Sequence, residues 1–141
     1  MVGILLITHN GLGVSLIDCI RHVMGSAPSH VKALSVLASD DPMLKEEEAR
    51  ALVAQLDEGQ GVLILSDVYG ATPCNIAQRL YVPGRVEGVA GVNLPMLMRV
   101  ACYSNKPLVE QVQRALDGGK ECIVSLEESE GSNVATRCAN H

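Results

Sequence analysis

Continuous apolar runs alternate with segments of helical period along this chain. The runs lack the polar alternation of half-exposed strands, so they predict strands covered on both faces at 2–8, 31–37, 61–66, 86–92 and, more briefly, 122–126. Between the runs, apolar residues recur at spacings of three and four, which is typical of amphipathic helices. This alternation predicts an α/β fold with a doubly wound, mainly parallel sheet.

The expected strand order is 2-1-3-4, because placing the first and third strands side by side makes their loops diverge at a switch point. The short fifth strand is expected at the sheet edge or exchanged in a dimer, since an unpaired apolar edge promotes association. No linker or repeat interrupts the chain. We therefore expect one domain over residues 1–127 and a polar tail over residues 128–141.

Capping residues indicate where several helices begin and end. Gly25 is expected to end the first helix, and Asp41 followed by proline to begin the second. A short third helix is predicted over 72–80, and another begins near Pro95. Gly118 and Gly119 are expected to end the last helix.

Composition and charge exclude several classes of function. Hydrophobic residues make up 48% of the chain but aromatic residues only 2%, so stacking on nucleic-acid bases is not expected. A net charge of −5 disfavours binding to a phosphate backbone and suits a basic protein partner. The apolar runs are shorter than the roughly 20 residues of a membrane helix. Five cysteines without paired spacing favour free thiols, and we expect a cytoplasmic protein.

Polar residues follow three of the predicted strands. Thr8 and His9 follow the first, Asp67 follows the third, and Asn93 follows the fourth. Because ligands of parallel α/β sheets bind outside the carboxyl ends of the strands, these residues are expected to converge at one site. His9 can exchange a proton or a phosphoryl group near neutral pH, or it can simply cap backbone groups at the strand end.

Asp67 is expected to accept a hydrogen bond from one ring nitrogen of His9, which leaves the other nitrogen free as a nucleophile. Its alternative role is that of a turn residue. Gly70, Ala71 and Thr72 lead into the third helix and supply backbone N–H groups that can bind a phosphate. The alternative for these three residues is an ordinary helix start. No metal or other cofactor is required by this chemistry.

Two other chemistries compete with phosphorylation of His9. A response-regulator receiver would be phosphorylated on Asp67, but it needs an acidic pair after the first strand to hold Mg²⁺, where this chain has Thr8, His9 and Asn10. A cysteine hydrolase would use Cys74 with His9. Cys74 lies in the first turn of a helix, which favours a thiolate, but buried structural cysteine is commoner.

Three segments of the chain carry a resemblance to a known family. They are residues 4–9, with an Ile-Thr-His ending, residues 61–75 (Gly-Val-Leu-Ile-Leu-Ser-Asp-Val-Tyr-Gly-Ala-Thr-Pro-Cys-Asn) and residues 90–97 (Ala-Gly-Val-Asn-Leu-Pro-Met-Leu). They resemble the phosphorylated-histidine segment and two further signatures of the enzyme IIA domain of the mannose-type branch of the bacterial sugar phosphotransferase system. The likeness extends in order to about residue 126.

The resemblance implies a phosphotransferase in which His9 carries the phosphoryl group, Asp67 holds the ring and Thr72 lies near the phosphate. It implies transfer from the carrier HPr to a IIB domain, a homodimer whose last strand packs across subunits, and contact with the membrane only through a permease. The chain departs from the family at Asn10, where glycine is common, and at Ala71–Thr72, where a glycine–serine pair is common. A regulatory module that signals its phosphorylation state without moving sugar would use the same chemistry.

Overall fold

The computed structural model describes residues 1–26, 28–102 and 105–127. Within them lie four strands and five helices in the order β1 (Gly3–His9), α1 (Leu12–Met24), β2 (Val31–Val36), α2 (Pro42–Leu56), β3 (Val62–Ser66), α3 (Thr72–Arg79), β4 (Val86–Ala90), α4 (Leu94–Cys102) and α5 (Leu108–Glu121). The strands form one parallel sheet in the order β2-β1-β3-β4. The predicted α/β class and strand order are confirmed.

Helices cover both faces of the sheet. Along β1, Ile4 and Leu6 pack in the cluster beneath α1, α4 and α5, whereas Leu5 and Ile7 pack in the cluster beneath α2 and α3. All four side chains are fully buried. The absence of polar alternation in this strand is therefore explained by two separate apolar cores, one on each side of the sheet.

The register of the sheet brings the carboxyl ends of the strands to one edge. His9 at the end of β1 pairs with Val36 of β2, and Ile7 pairs with Ser66, the last residue of β3. Ser66 in turn pairs with Ala90, the last residue of β4. The loops that follow β1, β3 and β4 consequently leave the sheet side by side, as expected of a parallel α/β sheet.

Two predicted helix caps are confirmed. Gly25 adopts a left-handed conformation with φ of 83° after α1, and its N–H donates to the carbonyl of Arg21. The Asp41 carboxylate accepts a hydrogen bond from the N–H of Met43 at 2.9 Å, and Pro42 occupies the first turn of α2.

The prediction that Gly118 and Gly119 end the last helix is wrong. Helix α5 continues through both residues to Glu121, and both are buried against α4. A Cβ on Gly118 would lie 3.2 Å from the Cβ of Arg99, and one on Gly119 would lie 2.8 Å from the Cε of Met96. These glycines allow two helices to approach closely, a role that short-range sequence patterns do not distinguish from capping.

Residues 122–126 form no strand among the described residues, so of the two predicted positions for the fifth strand the sheet edge of the same chain is not observed. Residues 122–127 follow α5 as turn and irregular backbone, and the side chains of Ile123, Val124 and Leu126 are exposed. A strand requires a neighbour to accept its backbone hydrogen bonds, and no strand lies beside this segment in the described chain. Exchange with a second copy stays a prediction, and the predicted tail lies outside the described residues.

The state of the cysteines differs from the prediction at one described position. Cys19, Cys74 and Cys102 are free, but Cys122 is disulfide-bonded, which corrects the expectation that every cysteine is free. Among residues 1–26, 28–102 and 105–127, no helix combines the length and the apolar character needed to cross a membrane.

Gly3 permits close contact between β1 and the end of α2, which generates a stability prediction. A Cβ at this position would lie 2.7 Å from both the Cβ and the carbonyl oxygen of Leu56. We expect Gly3→Ala to lower the free energy of unfolding by about 1–3 kcal/mol, measured by urea denaturation, because buried backbone must shift. The control is Gly88→Ala, whose Cβ would have its nearest contact at 3.5 Å from the oxygen of Ile64. Equal effects of the two substitutions would contradict this account.

His30, just before β2, should make stability depend on pH. Burial lowers the pKa of His30 below its ordinary 6.5, and its Nε2 has no hydrogen-bond partner among the described residues. The unfolded chain therefore binds a proton more readily, so stability should fall as pH drops through that ordinary value. We expect the free energy of unfolding to decrease between about pH 7.5 and about pH 5.5 more steeply in the wild type than in His30→Gln. Parallel pH profiles would refute the prediction.

Candidate functional site

His9 stands where β1 gives way to the turn before α1. Asn10 follows in the left-handed region with φ of 48°, a conformation that asparagine tolerates better than most residues. Gly11 then leads directly into α1. The tight turn holds His9 at the sheet edge, where 48% of its side chain is exposed. The backbone of His9 is therefore held in place, while about half of its side chain is accessible to solvent.

Asp67 follows β3 and is joined to His9 by two hydrogen bonds. Its Oδ2 accepts one from the backbone N–H of His9 at 2.9 Å and lies 2.8 Å from the ring Nδ1. Its Oδ1 accepts a third from the N–H of Val68 at 3.0 Å. The carboxylate is only 8% exposed, so its position is set by these contacts. The predicted pairing of His9 with Asp67 is present in the structure.

The electrostatics of Asp67 determine which nitrogen of His9 is free. Burial acts to raise the pKa of Asp67, but the hydrogen bonds from the His9 N–H, the His9 ring and the Val68 N–H outweigh it and hold the pKa below its ordinary value. The ionised carboxylate can only accept hydrogen bonds, so Nδ1 carries the proton. The lone pair of neutral His9 then lies on Nε2, on the exposed side of the ring.

The turn from Gly70 to Thr72 begins three residues after Asp67 and leads into α3. Gly70 has φ of 88°, and Ala71 precedes α3 without a side-chain cap. The Ala71 N–H donates within the turn, to the carbonyl of Val68 at 3.4 Å. The N–H groups of the first helical turn have no partner within the helix, and the Thr72 side chain is exposed. The N–H groups of a helix start are of the kind that bind anions, so the predicted phosphate-binding role of this turn stays a prediction.

Thr8 and Asn93 support the site from positions inside the fold. Thr8 is fully buried, and its Oγ1 accepts a hydrogen bond from the N–H of Gly13 at 2.9 Å, which joins β1 to the start of α1. Asn93 accepts from the N–H of Met96 at 3.0 Å and donates to the carbonyl of Gly119 at 3.1 Å. Both side chains therefore hold helices in place.

The geometry disfavours the two competing chemistries. Both oxygens of Asp67 accept hydrogen bonds from His9 and Val68, so this carboxylate is engaged in holding the histidine and is poorly placed to act as a phosphoacceptor. Cys74 is 5% exposed, on the buried side of α3, which makes attack on a substrate unfavourable.

An apolar rim at the carboxyl edge of the sheet is a feature that the sequence analysis did not predict. It consists of four exposed residues: Leu12 at the start of α1, Leu37 directly after β2, and Val68 and Tyr69 after β3. The predicted second strand extends to Leu37, whereas β2 ends at Val36. The sequence feature that could have revealed the rim is the apolar pair Val68–Tyr69 directly after Asp67, because an exposed turn is ordinarily polar.

Comparison with known proteins identifies the family. A family model described as the fructose IIA component of the phosphotransferase system matches residues 3–116. This chain belongs to that family, the mannose-type enzyme IIA domains. It is 29% identical over 129 residues to the mannose-specific EIIAB component of Escherichia coli strain K12. The match covers 89% of this chain and 40% of that relative, so the chain spans less than half the length of the relative.

Solved structures share the fold. The phosphotransferase component EIIA of Streptococcus agalactiae superimposes with a TM-score of 0.79 at 20% identity, over 89% of this chain and 97% of that one. The mannose/sorbose-specific IIA subunit of Enterococcus faecalis superimposes with a TM-score of 0.78 at 20% identity, over 90% and 96% of the two chains. The architecture predicted from the sequence is thus the architecture of these IIA proteins.

The state of the His9 ring is open to direct measurement. We expect the neutral ring to carry its proton on Nδ1, because the ionised Asp67 accepts there, and Asp67→Ala to abolish this preference. Nitrogen chemical shifts in ¹⁵N-labelled protein distinguish the two tautomers, and the exposed His22 serves as an internal control. A wild-type His9 protonated on Nε2 would contradict the assignment.

Proposed function

We propose that this chain relays phosphoryl groups in the sugar phosphotransferase system, accepting phosphate on His9 from phospho-HPr and passing it to a IIB domain. The observation that carries the proposal is the 2.8 Å contact between Nδ1 of His9 and Asp67, which leaves Nε2 free on a side chain that is 48% exposed. Membership of the enzyme IIA family supports the same reaction.

The transfer step follows from this geometry. The lone pair on Nε2 of His9 attacks phosphorus, an N–P bond forms, and the bond between phosphorus and its donor breaks with its electron pair on the donor. The ring becomes positively charged as it is phosphorylated, and the carboxylate of Asp67, already hydrogen-bonded to Nδ1, stabilises that charge. Reversal of the same steps delivers the group to the acceptor.

The groups available to bind the phosphoryl oxygens are uncharged backbone N–H groups and a hydroxyl. The loops around His9 contain no lysine or arginine, so the backbone N–H groups of Gly70 and Thr72, the Thr72 hydroxyl and the positive end of α3 must balance the developing charge. A phosphoryl group carries about −1.5 to −2 charges at neutral pH. Stabilisation without a fixed cation suits a relay, because the group must leave again.

The apolar rim at the carboxyl edge of the sheet suits the docking of protein partners. Its exposed side chains, Leu12, Leu37, Val68 and Tyr69, gain from burial, and the net charge of −5 favours a basic partner surface. A phosphoryl group passed between two proteins must be shielded from water during transfer, and an apolar rim provides that shielding.

Phosphorylation by phosphoenolpyruvate, enzyme I and HPr tests the proposal directly. We expect one phosphoryl group by intact mass, labile in acid and stable in base as a phosphoramidate is. His9→Ala should abolish uptake, whereas His22→Ala and His30→Ala should retain it. Asp67→Asn should slow transfer, by about 10²-fold or more, because the ring loses its orientation and its charge partner, while HPr binding is largely retained.

Opposite outcomes would point to another phosphoacceptor. Loss of the phosphate in mild base, or uptake that survives His9→Ala and disappears in Asp67→Asn, would indicate an acyl phosphate on Asp67 and defeat the histidine relay.

We also propose that the chain forms a homodimer through the segment 122–126. Its apolar side chains are exposed, with Leu126 completely so. Apart from an isolated antiparallel bridge between Val82 and Val86, no described strand pairs with the outer side of β4. We expect a dimer at micromolar concentration in analytical ultracentrifugation, and monomer for the double variant Ile123→Asp/Leu126→Asp. The control is Val109→Asp, which places one negative charge at an exposed apolar position of α5, outside the segment. A monomeric wild type would refute the dimer.

A further inference from the structure

Asn93 lies at a junction between the end of β4 and the two helices that follow it. Its Oδ1 accepts a hydrogen bond from the N–H of Met96 in α4 at 3.0 Å, and its Nδ2 donates to the carbonyl of Gly119 in α5 at 3.1 Å. The backbone carbonyl of Asn93 accepts a further bond from the N–H of Leu97 at 3.1 Å. A single residue therefore binds the beginning of α4 and the end of α5.

The two backbone groups that the Asn93 side chain binds are ones that a helix cannot satisfy by itself. Met96 is among the first four residues of α4, whose N–H groups have no partner within the helix. Gly119 is among the last four residues of α5, whose carbonyls have none. The carboxamide of asparagine has both an acceptor oxygen and donor N–H groups, so it can serve both helix ends at once.

The bond between Asn93 and α5 depends on a close approach of the two helices. A Cβ on Gly119 would lie 2.8 Å from Cε of Met96 and 3.8 Å from Nδ2 of Asn93. On the other side of Asn93, Gly91 turns the chain out of β4 with φ of 91°, a conformation that favours glycine. The position of Asn93 is therefore set both by the turn after β4 and by α5.

The same turn holds the end of β3. The N–H of Val92 donates to the carbonyl of Ser66 at 2.9 Å, and Ser66 pairs on its other side with Ile7 of β1. Ser66 is the residue directly before Asp67. The position from which Asp67 reaches His9 is therefore determined from two directions, by β1 and by the turn that Asn93 attaches to the helices.

We propose that Asn93 is a positioning residue for phosphoryl transfer on His9. By binding α4 and α5 it holds the Val92 N–H against the Ser66 carbonyl. This bond in turn sets where the Asp67 carboxylate meets Nδ1 of His9. In this role Asn93 acts through the backbone and contacts neither the ring nor the phosphoryl group. The inference rests on the phosphotransfer proposed above, but the orientation of the ring can be measured without it.

Asn93→Asp and Asn93→Ser distinguish positioning from helix capping. Both variants keep an oxygen that can accept the Met96 N–H, so α4 keeps its cap and the protein is expected to fold. Both lose the bond to Gly119, because an ionised carboxylate has no proton to donate and a serine side chain that caps α4 is too short to reach α5 as well. A residue that only caps α4 would therefore be replaced without loss.

The kinetic test is phosphorylation of the full chain by phospho-HPr. We expect kcat to fall by about tenfold in Asn93→Asp and Asn93→Ser, because the nucleophile is less well oriented. KM for phospho-HPr should stay unchanged, because the exposed docking surface is the same.

The spectroscopic test uses ¹⁵N-labelled, unphosphorylated protein. In both variants a smaller fraction of neutral His9 should carry its proton on Nδ1, and the His9 backbone N–H should exchange faster with solvent, since Asp67 accepts both bonds. This measurement needs no HPr. If the wild type takes up no phosphate, the relay is refuted, whereas the positioning of the ring is still decided here.

The matched control is Asp41→Ala, which removes the cap of another helix. The Asp41 carboxylate accepts the N–H of Met43 at 2.9 Å at the start of α2. This variant should lower the urea midpoint while kcat and the His9 tautomer remain those of the wild type.

Three outcomes would overturn the proposal. The first is a wild-type kcat in Asn93→Asp and Asn93→Ser, and the second is a wild-type His9 tautomer and amide exchange in both. The third is a rise in KM at constant kcat, which would assign Asn93 to partner docking.

Discussion

The parallel pairing of β1 with β3 is the constraint on which the site depends. β3 ends one residue before Asp67, and the Asp67 carboxylate accepts the His9 N–H just beyond the end of the strand ladder. The same oxygen reaches the ring Nδ1. Sheet register, histidine orientation and tautomer are therefore determined together, and a slip of one residue between these strands would separate the two side chains.

The approach of α1 to the sheet reinforces that arrangement. A Cβ on Gly13 would lie 3.2 Å from both the Cβ of Leu6 and the Oγ1 of Thr8. Thr8 in turn accepts the Gly13 N–H, so the start of α1 is held against β1 immediately after His9. The exposed histidine is thereby attached to two elements whose positions are set by buried contacts. For the proposed transfer, such rigid support would hold Nε2 of His9 in a fixed position while the donor protein aligns the phosphorus for attack.

The neutral surroundings of His9 distinguish this site from one built to retain phosphate. A fixed arginine or lysine would strengthen binding of the phosphoryl group and slow its departure, whereas amides and a hydroxyl bind it more weakly.

The sequence by itself determined the features that arise from neighbouring residues. Uninterrupted apolar runs indicated β1 and β3 as buried strands, Gly25 and Asp41 indicated helix ends, and His9 and Asp67 indicated the site by their position after strands. The resemblance to the enzyme IIA family came from motifs in the same segments.

Only the tertiary structure decided features that depend on contacts between distant residues. Gly118 packs against Arg99 inside α5, whereas the local pattern predicts that the helix ends there. Thr8 accepts a hydrogen bond from the start of α1, and Asn93 donates one to the carbonyl of Gly119 in α5. The segment 122–126 has an apolar pattern but no neighbour in its own chain, and a strand forms only where a second strand accepts its hydrogen bonds.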